Sequence, residues 1–139
     1  MRIPYSLNNV SQVAQQLLTY AQHCALFTFT GSLGAGKTTL IRAMLTDMGV
    51  SEPITSPTFT YVHKYTLPTG MVVYHFDLYR IKTVGDFVDF GFDEYLYAPN
   101  SLCLIEWPEV IMPLLRTRVC HCTIEHSSMR ERVLSCIDG

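Results

Sequence analysis

The sequence predicts an α/β fold: a central sheet of mixed parallel and antiparallel strands, flanked by helices. Three observations carry that expectation. A short apolar run, Leu26–Thr30, passes through a glycine-rich stretch into a helical pattern over residues 37–48. A second apolar run, over residues 102–106, ends in an acid. Around these lie strand-like runs joined by turn residues, at Pro68-Thr69-Gly70 and at residues 126–130. The order strand, helix, hairpin, strand, strand, strand mixes both strand directions in one sheet.

Taken in chain order, Asn8 and Asn9 are suited to cap a helix running to about Gln22, with Val13, Leu17 and Leu18 as its apolar stripe. Leu26–Thr30 reads as a strand, residues 31–36 as a loop, and residues 37–48 as a helix closed by Gly49. Residues 51–57 hold two prolines and several hydroxyls and read as loop. Residues 59–67 and 71–77 read as a hairpin. Gly85 and Gly91 interrupt residues 83–97, which suggests short helical pieces. Residues 102–106 suit a buried central strand. Residues 108–115 are expected as loop or short helix, and residues 118–125 and 131–137 as two final strands.

At 139 residues, with 48% apolar and 16% charged side chains, the chain is expected to form one domain, residues 1–139, around a well-buried core. The net charge is −2 and no run of Lys or Arg exists; Arg116, Arg118, Arg130 and Arg132 form a sparse basic cluster. That balance argues against a protein that holds nucleic acid unaided. Five cysteines, at 24, 103, 120, 122 and 136, lack a regular framework and point to reduced thiols. Cys120 and Cys122 stand two apart on a predicted strand, so they share a face with Ile124 while His121 points away. Buried small hydrophobes fit that pair better than a metal site. No apolar stretch has the length of a secretory signal or a membrane span, so a soluble, cytoplasmic protein without membrane contact is expected.

The stretch Gly31-Ser32-Leu33-Gly34-Ala35-Gly36-Lys37-Thr38 satisfies G-x-x-x-x-G-K-[ST]. Backbone N–H groups must close around a phosphate chain, and side chains would block the approach. The loop then opens a helix, whose N-terminal N–H groups and dipole favour an anion. Lys37 has the reach for the β- and γ-phosphates, and the Thr38 hydroxyl is a magnesium ligand. The motif follows a predicted strand and starts a predicted helix, which makes the expected fold P-loop NTPase-like.

Magnesium takes oxygen ligands, and P-loop enzymes add an acid from the end of a neighbouring strand. Two acids qualify: Glu106, after Leu102-Cys103-Leu104-Ile105, and Asp77, after Val72-Val73-Tyr74-His75-Phe76. Both end strands, where ligands bind in α/β sheets. His75 alternates onto the face of Asp77 and reads as a hydrogen-bonded structural residue. No Asn-Lys-x-Asp guanine-reading motif is present, which favours ATP over GTP.

Four separated motifs together resemble the TsaE (YjeE) family, the ATPase of the bacterial tRNA threonylcarbamoyladenosine system. They are Gly31–Thr39, with Ser32 where the family has Asp; Ser56-Pro57-Thr58-Phe59; His75-Phe76-Asp77-Leu78-Tyr79-Arg80; and Glu106-Trp107-Pro108. The resemblance spans nearly the whole chain. It implies a magnesium shell of Thr38, Asp77 and Glu106, direct or through water, and a triphosphate cradle of Lys37 and the loop amides, with Thr39 inside the motif. Ser56–Thr58 would be a switch-type loop near the γ-phosphate, with Thr58 orienting the attacking water. Tyr79, Arg80 and Trp107 would form a partner surface or support the site. Ser11 and Arg130 align with positions near the adenine end. The implied partners are TsaB and TsaD, with tRNA reached only indirectly through the complex.

The expected activity is slow magnesium-dependent ATP hydrolysis, in which Glu106 or Asp77 polarises water. Which of the two is the base stays open, and Arg80 is the candidate for an arginine finger in cis. Two rivals stand beside it. A small-molecule kinase would need an acceptor pocket and, commonly, an Arg-rich lid; the sequence shows neither, although residues 83–100 leave room for a pocket. A nucleotide-gated scaffold would bind ATP without useful hydrolysis.

Overall fold

A computed structural model describes residues 1–138. The strands are β1 (Arg2–Ser6), β2 (Leu26–Thr30), β3 (Val62–Thr66), β4 (Val72–Asp77), β5 (Ser101–Glu106), β6 (Val119–His126) and β7 (Glu131–Asp138). They form one sheet in the order β1-β7-β6-β2-β5-β4-β3. Four strands at its centre, β6-β2-β5-β4, run parallel; β3, β7 and β1 extend it antiparallel at the two edges. The expected mixed α/β sheet is therefore the observed one.

Alternation along the strands builds two cores, one on each face. Phe27, Phe29, Leu102 and Leu104 pack with the helices α1 (Val10–Tyr20) and α2 (Lys37–Asp47), through Val13, Leu17, Leu40, Ile41, Met44 and Leu45. Leu26, Phe76, Cys103 and Ile105 pack on the opposite face, where α3 (Val84–Asp89) and the 3₁₀ turn Glu109–Leu114 bring in Phe87 and Ile111. A second 3₁₀ turn, Phe92–Tyr95, completes the short helical pieces expected before β5. Among the described residues, no helix is long and apolar enough to cross a membrane.

Three local readings change. The first helix is entered through a 3₁₀ turn, Leu7–Asn9, and Asn9 does not cap it with its side chain. Its Oδ1 instead accepts the Ser6 N–H at 2.8 Å, tying the helix to β1. β1 itself has no clear signal in the sequence: five residues containing Pro4 offer too little alternation, and proline is tolerated because the strand lies at an edge. The strand expected from residue 59 starts only at Val62, because residues before it curl: the Tyr61 N–H donates to Pro57 O at 2.8 Å and Tyr61 takes φ 67°. That curl leaves Phe59 exposed beside the carboxyl end of β4.

Cys120, Cys122 and Ile124 are buried on one face as their spacing requires, and His121 turns to the other, its Nδ1 2.9 Å from Thr28 Oγ1. The register adds a third thiol, Cys136, opposite Cys122. Its sulfur lies 3.4 Å from that of Cys122, and the Cys120 and Cys122 sulfurs are 3.9 Å apart.

Candidate functional site

The site forms where β2, β4 and β5 end, on the face that carries α2. β2 delivers the chain to Gly31, whose backbone passes so close to β6 that a Cβ there would stand 2.5 Å from the Ile124 carbonyl oxygen. Gly36 takes φ 102°, a left-handed conformation that glycine enters without strain, and turns the loop into α2. Leu40 N–H donates to Gly36 O at 3.1 Å, so Lys37, Thr38 and Thr39 hold the first N–H groups of α2, which have no intrahelical acceptor. They open onto a cleft of about 420 Å³, within the size range of small-ligand sites.

The cleft is lined by loop residues Leu33, Gly34, Ala35 and Gly36, by Lys37, Thr38 and Thr39 of α2, and by residues from the ends of β4 and β5. Gly31 and Ser32 stand behind it. Their carbonyls receive the Lys37 ammonium at 2.7 and 3.1 Å, and the same ammonium lies 4.0 Å from the centre of the Trp107 ring. Burial pushes the Lys37 pKa below its ordinary value, while Glu106, then Glu109 and Asp77, pull it back up.

The parallel register sets Asp77 directly beside Glu106. Glu106 is buried, and its two oxygens are divided: Oε1 accepts the Thr38 hydroxyl at 2.8 Å, and Oε2 lies 2.7 Å from His75 Nε2. Asp77 Oδ2 accepts the Thr58 hydroxyl at 3.3 Å, and Oδ1 accepts the Tyr79 N–H at 3.0 Å. Thr58 in turn stands 2.8 Å from the Ser56 hydroxyl. Four motifs far apart in sequence thus meet in one cleft.

These residues suit a triphosphate with a hard divalent cation. The cradle is walled by backbone, and a cation beside Thr38 would meet only oxygen donors, a hydroxyl and two carboxylates, the ligand type magnesium takes. Arg80 lines the cleft with its guanidinium 4.8 Å from the Phe59 ring, and Tyr79 packs on Trp107 at 4.9 Å. Ser11, exposed on α1, and Arg130, exposed in the turn between β6 and β7, do not line it.

Two contacts escape sequence reasoning. Arg132 of β7 reaches the phosphate loop, its Nε donating to Ala35 O at 3.0 Å. The available signal is parity: Arg132 alternates onto the same face as Leu134 and Cys136, both buried. Trp107 over Lys37 has no such signal, because it depends on a left-handed residue, φ 56°, directly after β5.

The family model described as threonylcarbamoyl adenosine biosynthesis protein TsaE matches residues 5–134. The tRNA threonylcarbamoyladenosine biosynthesis protein TsaE of Haemophilus influenzae is 40% identical over 93 residues, covering 67% of this chain and 58% of that protein. The protein of the same name from Bacillus subtilis is 31% identical over 124 residues, 88% of this chain and 75% of its own length. That of Rickettsia felis is 33% identical over 135 residues, 94% and 77% respectively. The chain thus spans less than two thirds of the Haemophilus protein and about three quarters of the other two. The crystal structure of Bacillus subtilis YdiB superposes with a TM-score of 0.70 at 27% identity, covering all of this chain and 87% of the other.

Proposed function

The chain belongs to the TsaE family, and on that premise we propose that it is the ATP-binding and ATP-hydrolysing component needed to form threonylcarbamoyladenosine at position 37 of tRNAs that read codons beginning with adenine. It acts with TsaB and TsaD, and it meets tRNA only through that complex. ATP turnover resets the complex after each modified adenosine and does not itself make the carbamoyl adduct.

The observation that carries the reading is the bond from Thr38 to Glu106, which joins the phosphate loop to a strand-end acid 68 positions away. In this reading the loop N–H groups and Lys37 hold the triphosphate, and Thr38, Asp77 and Glu106 hold magnesium, directly or through water. Magnesium held there would supply positive charge against the charge of the phosphates. Thr58, bonded to Asp77, orients the attacking water, and Glu106 or Asp77 takes its proton. Ser11 and Arg130, which do not line the cleft, are assigned to the nucleobase end on the family resemblance alone. Among the described residues, Arg80 is the one arginine that lines the cleft, and it is engaged with Phe59. Hydrolysis by the isolated chain is therefore slow, since missing charge at the transition state costs roughly a thousandfold or more.

The test is multiple-turnover modification of tRNA by TsaB and TsaD with and without this chain. The chain with ATP and magnesium is expected to sustain turnover; equal rates in its absence overturn the proposal. Glu106→Ala is expected to stop both hydrolysis and repeated turnover. Unchanged turnover with hydrolysis abolished would instead assign the chain to a nucleotide-gated scaffold.

A further inference from the structure

His75 stands two residues before Asp77 on β4, so both side chains leave the same face of the sheet. The register puts His75 beside Leu104 of β5, one alternation short of Glu106. Its imidazole is 0% exposed, yet it does more than fill space, because Nε2 meets Glu106 Oε2 at 2.7 Å. Nδ1 is also buried and has no hydrogen-bond partner among the described residues.

A neutral imidazole carries one N–H, and an ionised carboxylate only accepts. With the proton on Nδ1, a buried donor would go unpaired and a bare nitrogen lone pair would face a carboxylate oxygen. With the proton on Nε2, the ring donates to Glu106 and both groups are served. Glu106 therefore sets the tautomer, and His75 in return pins one carboxylate oxygen. Once Oε2 is pinned, rotation of the carboxylate is blocked and Oε1 stays on the Thr38 hydroxyl. A hydroxyl whose proton is committed to Oε1 keeps its lone pairs for another partner.

We propose that His75 is a positioning residue for the cation site. By donating from Nε2 it holds Glu106 so that Oε1 accepts the Thr38 hydrogen bond and the Thr38 lone pairs are left for magnesium. The inference rests on the reading of the cleft as a magnesium–nucleotide site. It extends that reading to a side chain that touches neither nucleotide nor metal.

The experiment measures ADP affinity by calorimetry over a magnesium titration and in chelator. Magnesium is expected to tighten binding to the wild-type protein, and absence of that effect sinks the parent reading. With the effect present, His75→Leu is expected to weaken apparent magnesium affinity ~10–100-fold, whereas His75→Gln, whose side-chain N–H can reach the carboxylate, stays within about threefold of wild type. A merely structural histidine predicts no such rescue. Equal losses in the two variants, or no loss in either, overturn the role of His75 while leaving the parent reading intact. Should a variant fail to fold, nitrogen NMR of the wild-type protein reads the same claim: a proton on Nε2 supports it, and an Nε2 without a proton overturns it.

Discussion

Two clusters of reactive side chains are buried in this sheet, and they are built on opposite terms. At the ends of β4 and β5 and the start of α2, Lys37, Asp77 and Glu106 are buried at the wall of an open cleft, with His75 buried behind Glu106. On β6 and β7, Cys120, Cys122 and Cys136 are buried in a closed apolar core. Buried charge is costly unless hydrogen-bonded, and each carboxylate of the first cluster has close polar partners. The thiols touch one another only at sulfur distances of 3.4 and 3.9 Å. Hydrogen bonding to Cys120 and Cys136, with burial, pushes the Cys122 pKa well above its ordinary value, so it stays a neutral filler. Burial alone therefore does not mark a site. Burial of charge against a cleft does, because folding by itself gains little from placing four ionisable groups there.

That contrast breaks first at Lys37. Lys37→Ala removes the buried cation and is expected to weaken triphosphate affinity by about 100-fold or more, since one or two charge-assisted bonds are each worth ~1.5–3 kcal/mol. Titration calorimetry decides it, and a change under threefold would erase the distinction between the clusters. Cys122→Ala is the converse case. It should cost ~1–2 kcal/mol of stability, read as a lower melting temperature, and leave nucleotide affinity unchanged. A loss of affinity without a loss of stability would show that the thiol core is coupled to the loop. The smallest effect concerns pH. Burial lowers the Lys37 pKa in the free protein, and bound phosphates favour its charged form. Binding should then take up a proton at alkaline pH, and affinity should fall as pH rises through the lowered value. Calorimetry in buffers of different ionisation heat measures the uptake, which Lys37→Ala should abolish.

Much of the site is legible in the amino-acid sequence. The phosphate loop, both strand-end acids and Thr58 lie within short motifs, and the fold brings Lys37, Thr38, Thr58, Asp77 and Glu106 to one cleft. Strand alternation puts His75 on the face of Asp77 as a hydrogen-bonded residue, without naming its partner. Parity likewise puts Arg132 on the buried face of β7 without naming its partner, whereas the stacking of Trp107 on Lys37 leaves no such trace, and neither does β1. Each of these depends on a neighbour far along the chain.

The division has a physical cause. Spaced glycines before Lys-Thr, or an apolar stretch closed by an acid, act through backbone freedom and strand-end position. Both are settled within a few residues, so composition and spacing are enough to reveal them. Which acid accepts the Thr38 hydrogen bond, which histidine pins that acid and which thiol completes the sulfur cluster follow from strand order and register. Those are set by the summed burial of seven strands and the helices packed on them, a long-range balance that no local segment contains.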